Sequence, residues 1–271
     1  MDDIENSEWW KEAIAQANSL SEIEHIFRKL WPSLFPKPIR NTLFDFPDVI
    51  IHASETSVKK HPSYHNAKTG DAESASILID DTLNSDAVDE IRNLLCGRKP
   101  IIVSAHAIEN EGVNAIPEVF ADKLSKKLGL QVDNGIIQIN QVGHTGSDGF
   151  GRLARQPAFD GKVNPGQEYL IVDDFVGMGG TLANLRGYIE SKGGKVIAAT
   201  VLTGKQYSAK IALNRTTLQE LRNKHGKELE NWWQERFGHT FDSLTQSEAR
   251  YLLKTENADR IRNKIATAEQ G

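Results

Sequence analysis

The chain has 271 residues, 39% hydrophobic and 25% charged, which is ordinary for a globular protein of one large domain or two small ones. A net charge of −5 gives no global basic footprint for nucleic acid, and no apolar run is long enough to span a membrane. Cys96 is the only cysteine, which excludes a disulfide framework or a cysteine-based zinc site within one chain. With the acidic start Met1-Asp2-Asp3, this predicts a cytoplasmic protein. Cys96 follows Leu94-Leu95 and is expected to be a buried, unreactive thiol.

Residues 1–31 read as helical, with Trp9, Trp10, Ile14, Leu20, Ile23, Ile26, Phe27 and Leu30 on an amphipathic pattern. Ser21 and Glu24 suggest a capping box for the second helix of this segment. Pro32, Pro36, Pro38 and Pro47 break up the connection that follows. Val49-Ile50-Ile51-His52-Ala53 is a candidate short strand. Residues 58–71 are polar and turn-rich, and carry His61, Tyr64, His65, Lys68 and Asp71. A surface loop with a helix cap explains this cluster better than a metal site; contact with a ligand is left open. Helices are expected after Asp71, lined by Ala75, Ile77, Leu78 and Ile79, and over residues 86–95, ending at Gly97.

An α/β pattern begins at Pro100. Strand-length apolar runs occur at residues 101–105, 136–139, 169–172 and 195–203. Pro117 suits the first turn of a helix lined by Val119, Phe120, Leu124 and Leu128. Residues 142–167 are long, glycine-rich and polar, with little periodicity, so a functional loop is expected. Strands alternating with helices imply a parallel sheet, whose ligands sit at the carboxyl ends of the strands. Residues 206–271 read as helical, with an aromatic cluster of Trp232, Trp233, Phe237 and Phe241. Ser243 and Gln246 resemble a capping box, and Leu252, Ile261 and Ile265 suit packing against the core better than a helix-turn-helix DNA reader. The chain thus divides into a mostly helical segment 1–97, an α/β core 98–205 and a helical segment 206–271.

Everything converges on residues 169–182. An apolar strand leads to adjacent carboxylates, Asp173 and Asp174, and then to a turn, Gly177-Met178-Gly179-Gly180-Thr181, that opens a helix. Leu182, Leu185 and Ile189 recur there at helical spacing. A helix N-terminus offers unpaired N–H groups and partial positive charge, and glycines let a phosphate approach the backbone. Thr181 is placed to cap the helix and offer a hydroxyl. Carboxylates repel phosphate but suit hydroxyl donors, a metal, or developing positive charge. Phosphate on the turn and hydroxyls on the acids describe a sugar phosphate.

This stretch resembles the phosphoribosyl pyrophosphate (PRPP) signature of type I phosphoribosyltransferases. The likeness covers residues 100–205. It implies an α/β phosphoribosyltransferase-like parallel sheet flanked by helices, with extra helical N- and C-terminal segments forming a hood over the acceptor. It also implies transfer of a 5-phosphoribosyl group from PRPP to a nitrogen acceptor such as a nucleobase. Asp173 and Asp174 would hold the ribose hydroxyls and offset oxocarbenium-like charge. Gly177, Met178, Gly179, Gly180 and Thr181 would hold the 5-phosphate. His106 and Asn110 of a pyrophosphate loop, and His144, Arg152 and Arg155 of a mobile loop, would contact the remainder. Magnesium would arrive with PRPP, leaving no protein metal ligands to assign, and a homodimer is expected. Met178 stands where the family usually has a small residue or Thr, and the pyrophosphate loop carries Glu109 and Glu111. The alternative reading is a PRPP- or nucleotide-sensing protein on the same fold without catalysis.

Overall fold

The computed structural model describes residues 15–16, 37–105, 108–109, 112–140, 142 and 148–270. The pattern expected over residues 1–31 therefore lies outside the described residues, apart from helical Ala15 and Gln16. In chain order the elements are β1 (Ile50–Ala53), α1 (Glu55–Lys59), α2 (Tyr64–Lys68), α3 (Ala72–Thr82) and α4 (Ser85–Leu95). Then follow β2 (Ile101–Ser104), α5 (Ile116–Leu128), α6 (Gly149–Ala154), β3 (Glu168–Val176), α7 (Gly180–Ser191) and β4 (Lys195–Gly204). The chain closes with α8 (Arg215–Phe237), α9 (Gln246–Lys254) and α10 (Ala258–Gln270).

The main sheet is four-stranded, ordered β1-β4-β3-β2, and parallel throughout. Its interior strands are apolar on both faces because helices cover both. On β3 the pleat sends Leu170 and Val172 into one core, with Leu78, Ile91 and Phe120. Tyr169 and Ile171 enter the other, with Leu182, Leu185 and Ile189 of α7. Each such large side chain contributes about 1.5–3 kcal/mol when fully buried. At the edge, the buried Thr200 hydroxyl donates to Ile50 O at 2.9 Å and Thr203 to Ala53 O at 2.8 Å, tying β1 to β4.

Local signals account for most helix ends. Asp71 caps α3 through bonds from the Glu73 and Ser74 amides, and Asn84 caps α4. Gly129, at φ 67°, ends α5 in the left-handed conformation that glycine adopts without penalty. Cys96 ends α4 in the same conformation, at φ 47°, which turns its side chain out: the thiol is exposed, not buried as expected.

Residues 136–139 are a second correction. They do not join the parallel sheet; Ile137 and Gln138 pair antiparallel with Asp160 and Phe159. Ile137 is 48% exposed and Ile139 43%, whereas Ile136 is fully buried, an alternation that belongs to a half-solvated strand. The strand that takes the sheet's fourth place is β1, from the segment ahead of residue 97.

The stretch 142–167 is also less irregular than its composition implies. Asp148 caps α6 through the Gly151 amide, and Phe150 and Leu153 of α6 are buried against the C-terminal helices. Gly149 lies so close to Tyr251 that a Cβ there would fall 2.3 Å from the ring. The C-terminal core gathers Trp233, Phe237 and Phe241, with Trp233 and Phe237 centroids 4.4 Å apart. Ile261 and Ile265 of α10 are fully buried in it. Helix α8 is broken at Gly226 (φ 76°). The capping box of α9 is formed by Thr245 and Glu248 rather than by Ser243 and Gln246. No helix among the described residues is long and apolar enough to cross a membrane.

Candidate functional site

Strand β3 continues past its apolar run because Asp173, Phe175 and Val176 keep their pairing with Val201, Thr203 and Gly204 of β4. The two acids therefore stand on the strand itself, with their carboxyls close enough to act on each other. Asp173 is 7% exposed, and its Oδ1 accepts the Asp174 amide at 2.8 Å. Asp174 is half-buried, and its Oδ2 holds two donors: Lys68 Nζ at 2.9 Å and Asn114 Nδ2 at 3.0 Å. Lys68 is the last residue of α2. Asn114 stands just ahead of α5, where its Oδ1 accepts the Ile116 amide at 3.2 Å.

These surroundings separate the two carboxyls. Burial, and then the charge of Asp174, push the Asp173 carboxyl well above the usual range. Burial also works to raise Asp174, but the Lys68 charge, the Lys68 hydrogen bond and the Asn114 bond together hold it below its ordinary value. The two carboxyls are thus pushed in opposite directions, and Asp174 already faces an ammonium.

The glycine turn follows. Gly179 sits at φ 84°, where a side chain would be strained, and a Cβ there would fall 2.7 Å from Ile211 Cγ2. Helix α7 starts at Gly180 and has no side-chain cap, so the expectation that Thr181 caps it is corrected. Thr181 lies inside the first turn, half-buried. The turn's carbonyls are held from behind: Ser208 Oγ donates to Gly177 O and Thr245 Oγ1 to Met178 O, each at 2.6 Å. Trans peptide planarity then points the Met178 and Gly179 N–H groups the other way. Met178 packs its side chain against the C-terminal core, which accounts for a long apolar residue in this turn.

Charges surround the turn. A Cβ on Gly177 would fall 2.1 Å from Arg152 Nη1, so the Arg152 guanidinium lies directly against it. Lys59 Nζ is 4.5 Å from the Phe175 ring centroid. Beneath α7, Arg40 donates to Glu248 Oε1 at 2.9 Å and Oε2 at 2.5 Å, and its Nε donates to Asn184 Oδ1. The carboxylate nearest the helix start is thereby paired. Arg155 is not brought to the turn: its guanidinium donates to Val142 O and to Ala268 O of α10. His106, Asn110 and His144 lie outside the described residues.

Two site residues have no local sequence signal, Lys68 and Asn114. Lys68 belongs to the polar cluster whose contact with a ligand was open, whereas His61 meets Asp81 at 3.1 Å and Asp71 is a helix cap. A divalent ion accompanying a ligand does not fit at Asp174 Oδ2, because that oxygen already carries an ammonium and an amide. Among the described residues, no group of three or more His, Cys, Asp or Glu is placed to hold a metal ion.

No protein-family model matches the chain. It is 42% identical over 224 residues to Protein TraN of Escherichia coli, covering 83% of this chain and 50% of TraN. It is 44% identical over 145 residues to an uncharacterized protein of Haemophilus influenzae, covering 54% of this chain and 32% of that protein. The chain thus spans half the length of one relative and about a third of the other. Among solved structures it is similar to adenine phosphoribosyltransferase from Thermoanaerobacter pseudethanolicus (21% identity, TM-score 0.30, 45% of this chain and 67% of that one). It is also similar to orotate phosphoribosyltransferase of Mycobacterium tuberculosis (14% identity, TM-score 0.28, 53% and 66%). Overlaps of this size carry no argument about activity.

Proposed function

We propose that the chain binds a 5-phosphoribosyl compound at the carboxyl end of β3 and transfers the phosphoribosyl group from PRPP to a nitrogen acceptor such as a nucleobase. One observation carries the reading: the Asp173–Asp174 pair and the uncapped, glycine-lined start of α7 stand side by side on one strand end. The turn amides and Arg152 suit a 5-phosphate. The acids suit ring hydroxyls, and the Asp174 carboxylate opposes positive charge on the sugar as the bond from C1 to pyrophosphate breaks. The acceptor nitrogen then supplies the electron pair for the new C1–N bond, and pyrophosphate leaves.

A second reading is a PRPP- or nucleotide-sensing protein that does not turn its ligand over. The Lys68 ammonium on Asp174 Oδ2 favours it, since the carboxylate is already engaged.

The test is to incubate the full chain with PRPP, magnesium and a panel of bases, and to measure pyrophosphate release alongside calorimetric binding. Release that disappears in Asp173→Asn/Asp174→Asn supports transfer. Binding of PRPP without release selects the sensor. Absence of binding by both PRPP and ribose 5-phosphate overturns both readings.

A further inference from the structure

We infer that Lys68 is the cation of this site: its ammonium stands where a phosphoribosyl ligand would otherwise need a divalent metal ion beside the acids. The inference deepens the sugar-phosphate reading above and rests on it for the identity of the ligand, although its metal arm does not.

Three observations carry it. First, Lys68 Nζ and Asn114 Nδ2 converge on the same oxygen, Asp174 Oδ2, at 2.9 and 3.0 Å. A metal ligand needs a lone pair directed at the ion, and this oxygen directs its lone pairs at two donors. Second, the contact is enclosed: the Lys68 side chain is 20% exposed and that of Asp174 14%. A lysine at a partly desolvated carboxylate is a fixed charge rather than a wandering surface ammonium. Third, the position is set by structure on both sides. Lys68 ends α2, whose Ala67 is fully buried in the core and whose Ala67 carbonyl accepts the Ala115 amide at 3.1 Å. Asn114 is anchored by the start of α5. The two donors thus come from neighbouring elements that are bonded to each other, so the ammonium is part of the fold.

The chemistry follows. Near the sugar's anomeric carbon, a metal ion offsets carboxylate charge and attracts an anionic group on the ligand. An ammonium does both as a point charge with three donors, and needs no coordination shell. Ribose 5-phosphate should therefore bind as well in a chelator as in magnesium.

Two measurements on the full chain test this. Calorimetry with ribose 5-phosphate in EDTA and again in millimolar Mg2+ should give affinities within about twofold of each other. Lys68→Met should weaken binding in EDTA by at least tenfold, with Mg2+ restoring part of the loss, while Lys68→Arg should retain binding in EDTA. Wild-type binding that requires Mg2+ overturns the inference. The second measurement is Mn2+ titration by electron paramagnetic resonance, with no sugar present. Lys68→Met should acquire a Mn2+ site that Lys68→Met/Asp174→Asn lacks. A Mn2+ site in the wild type that disappears in Asp174→Asn overturns the inference, even if Lys68→Met proves poorly folded. So does a folded Lys68→Met that gains no Mn2+ site. If ribose 5-phosphate binds under neither condition while the Mn2+ results hold, the sugar-phosphate reading falls and the assignment of Lys68 as the cation at Asp174 stands.

Discussion

The Thr245 hydroxyl donates to the Met178 carbonyl at 2.6 Å and also accepts the Glu248 amide at 3.2 Å. One fully buried side chain therefore caps α9 and braces the turn ahead of α7. Thr245→Val keeps the shape and removes both bonds. Loss of a cap and a buried acceptor's partner should destabilise the protein by about 1–3 kcal/mol. Urea unfolding measures this, and a change below a few tenths of a kcal/mol would show that the bond does not hold the turn.

Arg40 and Glu248 form a buried ion pair, with side chains 1% and 2% exposed. Removing one partner strands a charge in the interior. Arg40→Met alone should cost about 3–5 kcal/mol, and Arg40→Met/Glu248→Gln should cost less than the sum of the two single changes. Simple additivity in the double-mutant cycle would mean that the pair is not coupled.

Burial pushes the His52 imidazole down to about 4, partly offset by the ring's bond to the Asn84 backbone carbonyl. Its Nε2 lies 3.1 Å from Thr200 Oγ1 between β1 and β4. In the unfolded chain the ring takes up a proton near its ordinary value, while the buried ring resists until about pH 4. Between those limits the unfolded state binds more protons, so stability is full above about pH 6.5 and falls as pH drops through the window. The loss from this residue is about 3 kcal/mol at about 1.4 kcal/mol per pH unit. His239, driven to about 3 by burial and the Arg40 charge, adds in the same direction. His52→Gln should flatten the slope of unfolding free energy between pH 7 and 4.5; parallel slopes would rule the assignment out.

Asp173 carries the opposite sign. Its carboxyl is raised, chiefly by burial, so its contribution to stability is present at low pH and is lost as pH rises through the raised value. Asp173→Asn should therefore gain stability relative to the wild type on the alkaline side and lose that advantage on acidification. Thermal melts from pH 5 to 9 measure the crossing. A constant difference across that range would show that Asp173 is ionised throughout.

The strand, the acids, the turn and the helix were legible because they are contiguous in the sequence. The parallel sheet followed from the alternation of strands and helices. What was not legible arrives from a distance. Lys68 is 106 residues from Asp174 and Asn114 is 60, and a single Lys or Asn leaves no periodic trace. Residues 136–139 misled because an apolar run of four reads alike for a buried strand and a half-exposed one. Phe150 and Leu153 are too few to reveal α6; its order comes from the C-terminal core it enters. Met178 looked like a departure from a phosphate turn, but its side chain serves that same core.

The peptide units of residues 177–179 have two audiences. Their oxygens answer to Ser208 and Thr245, and their nitrogens to any anion that arrives. An anion that steadies this ribbon must steady the helical module behind it, and by reciprocity a partner that pries the module loose must weaken the anion's hold by the same free energy. If an anion binds at the strand end, its occupancy and the docking of the last three helices are linked, and protease resistance after residue 205 should rise when ribose 5-phosphate is added.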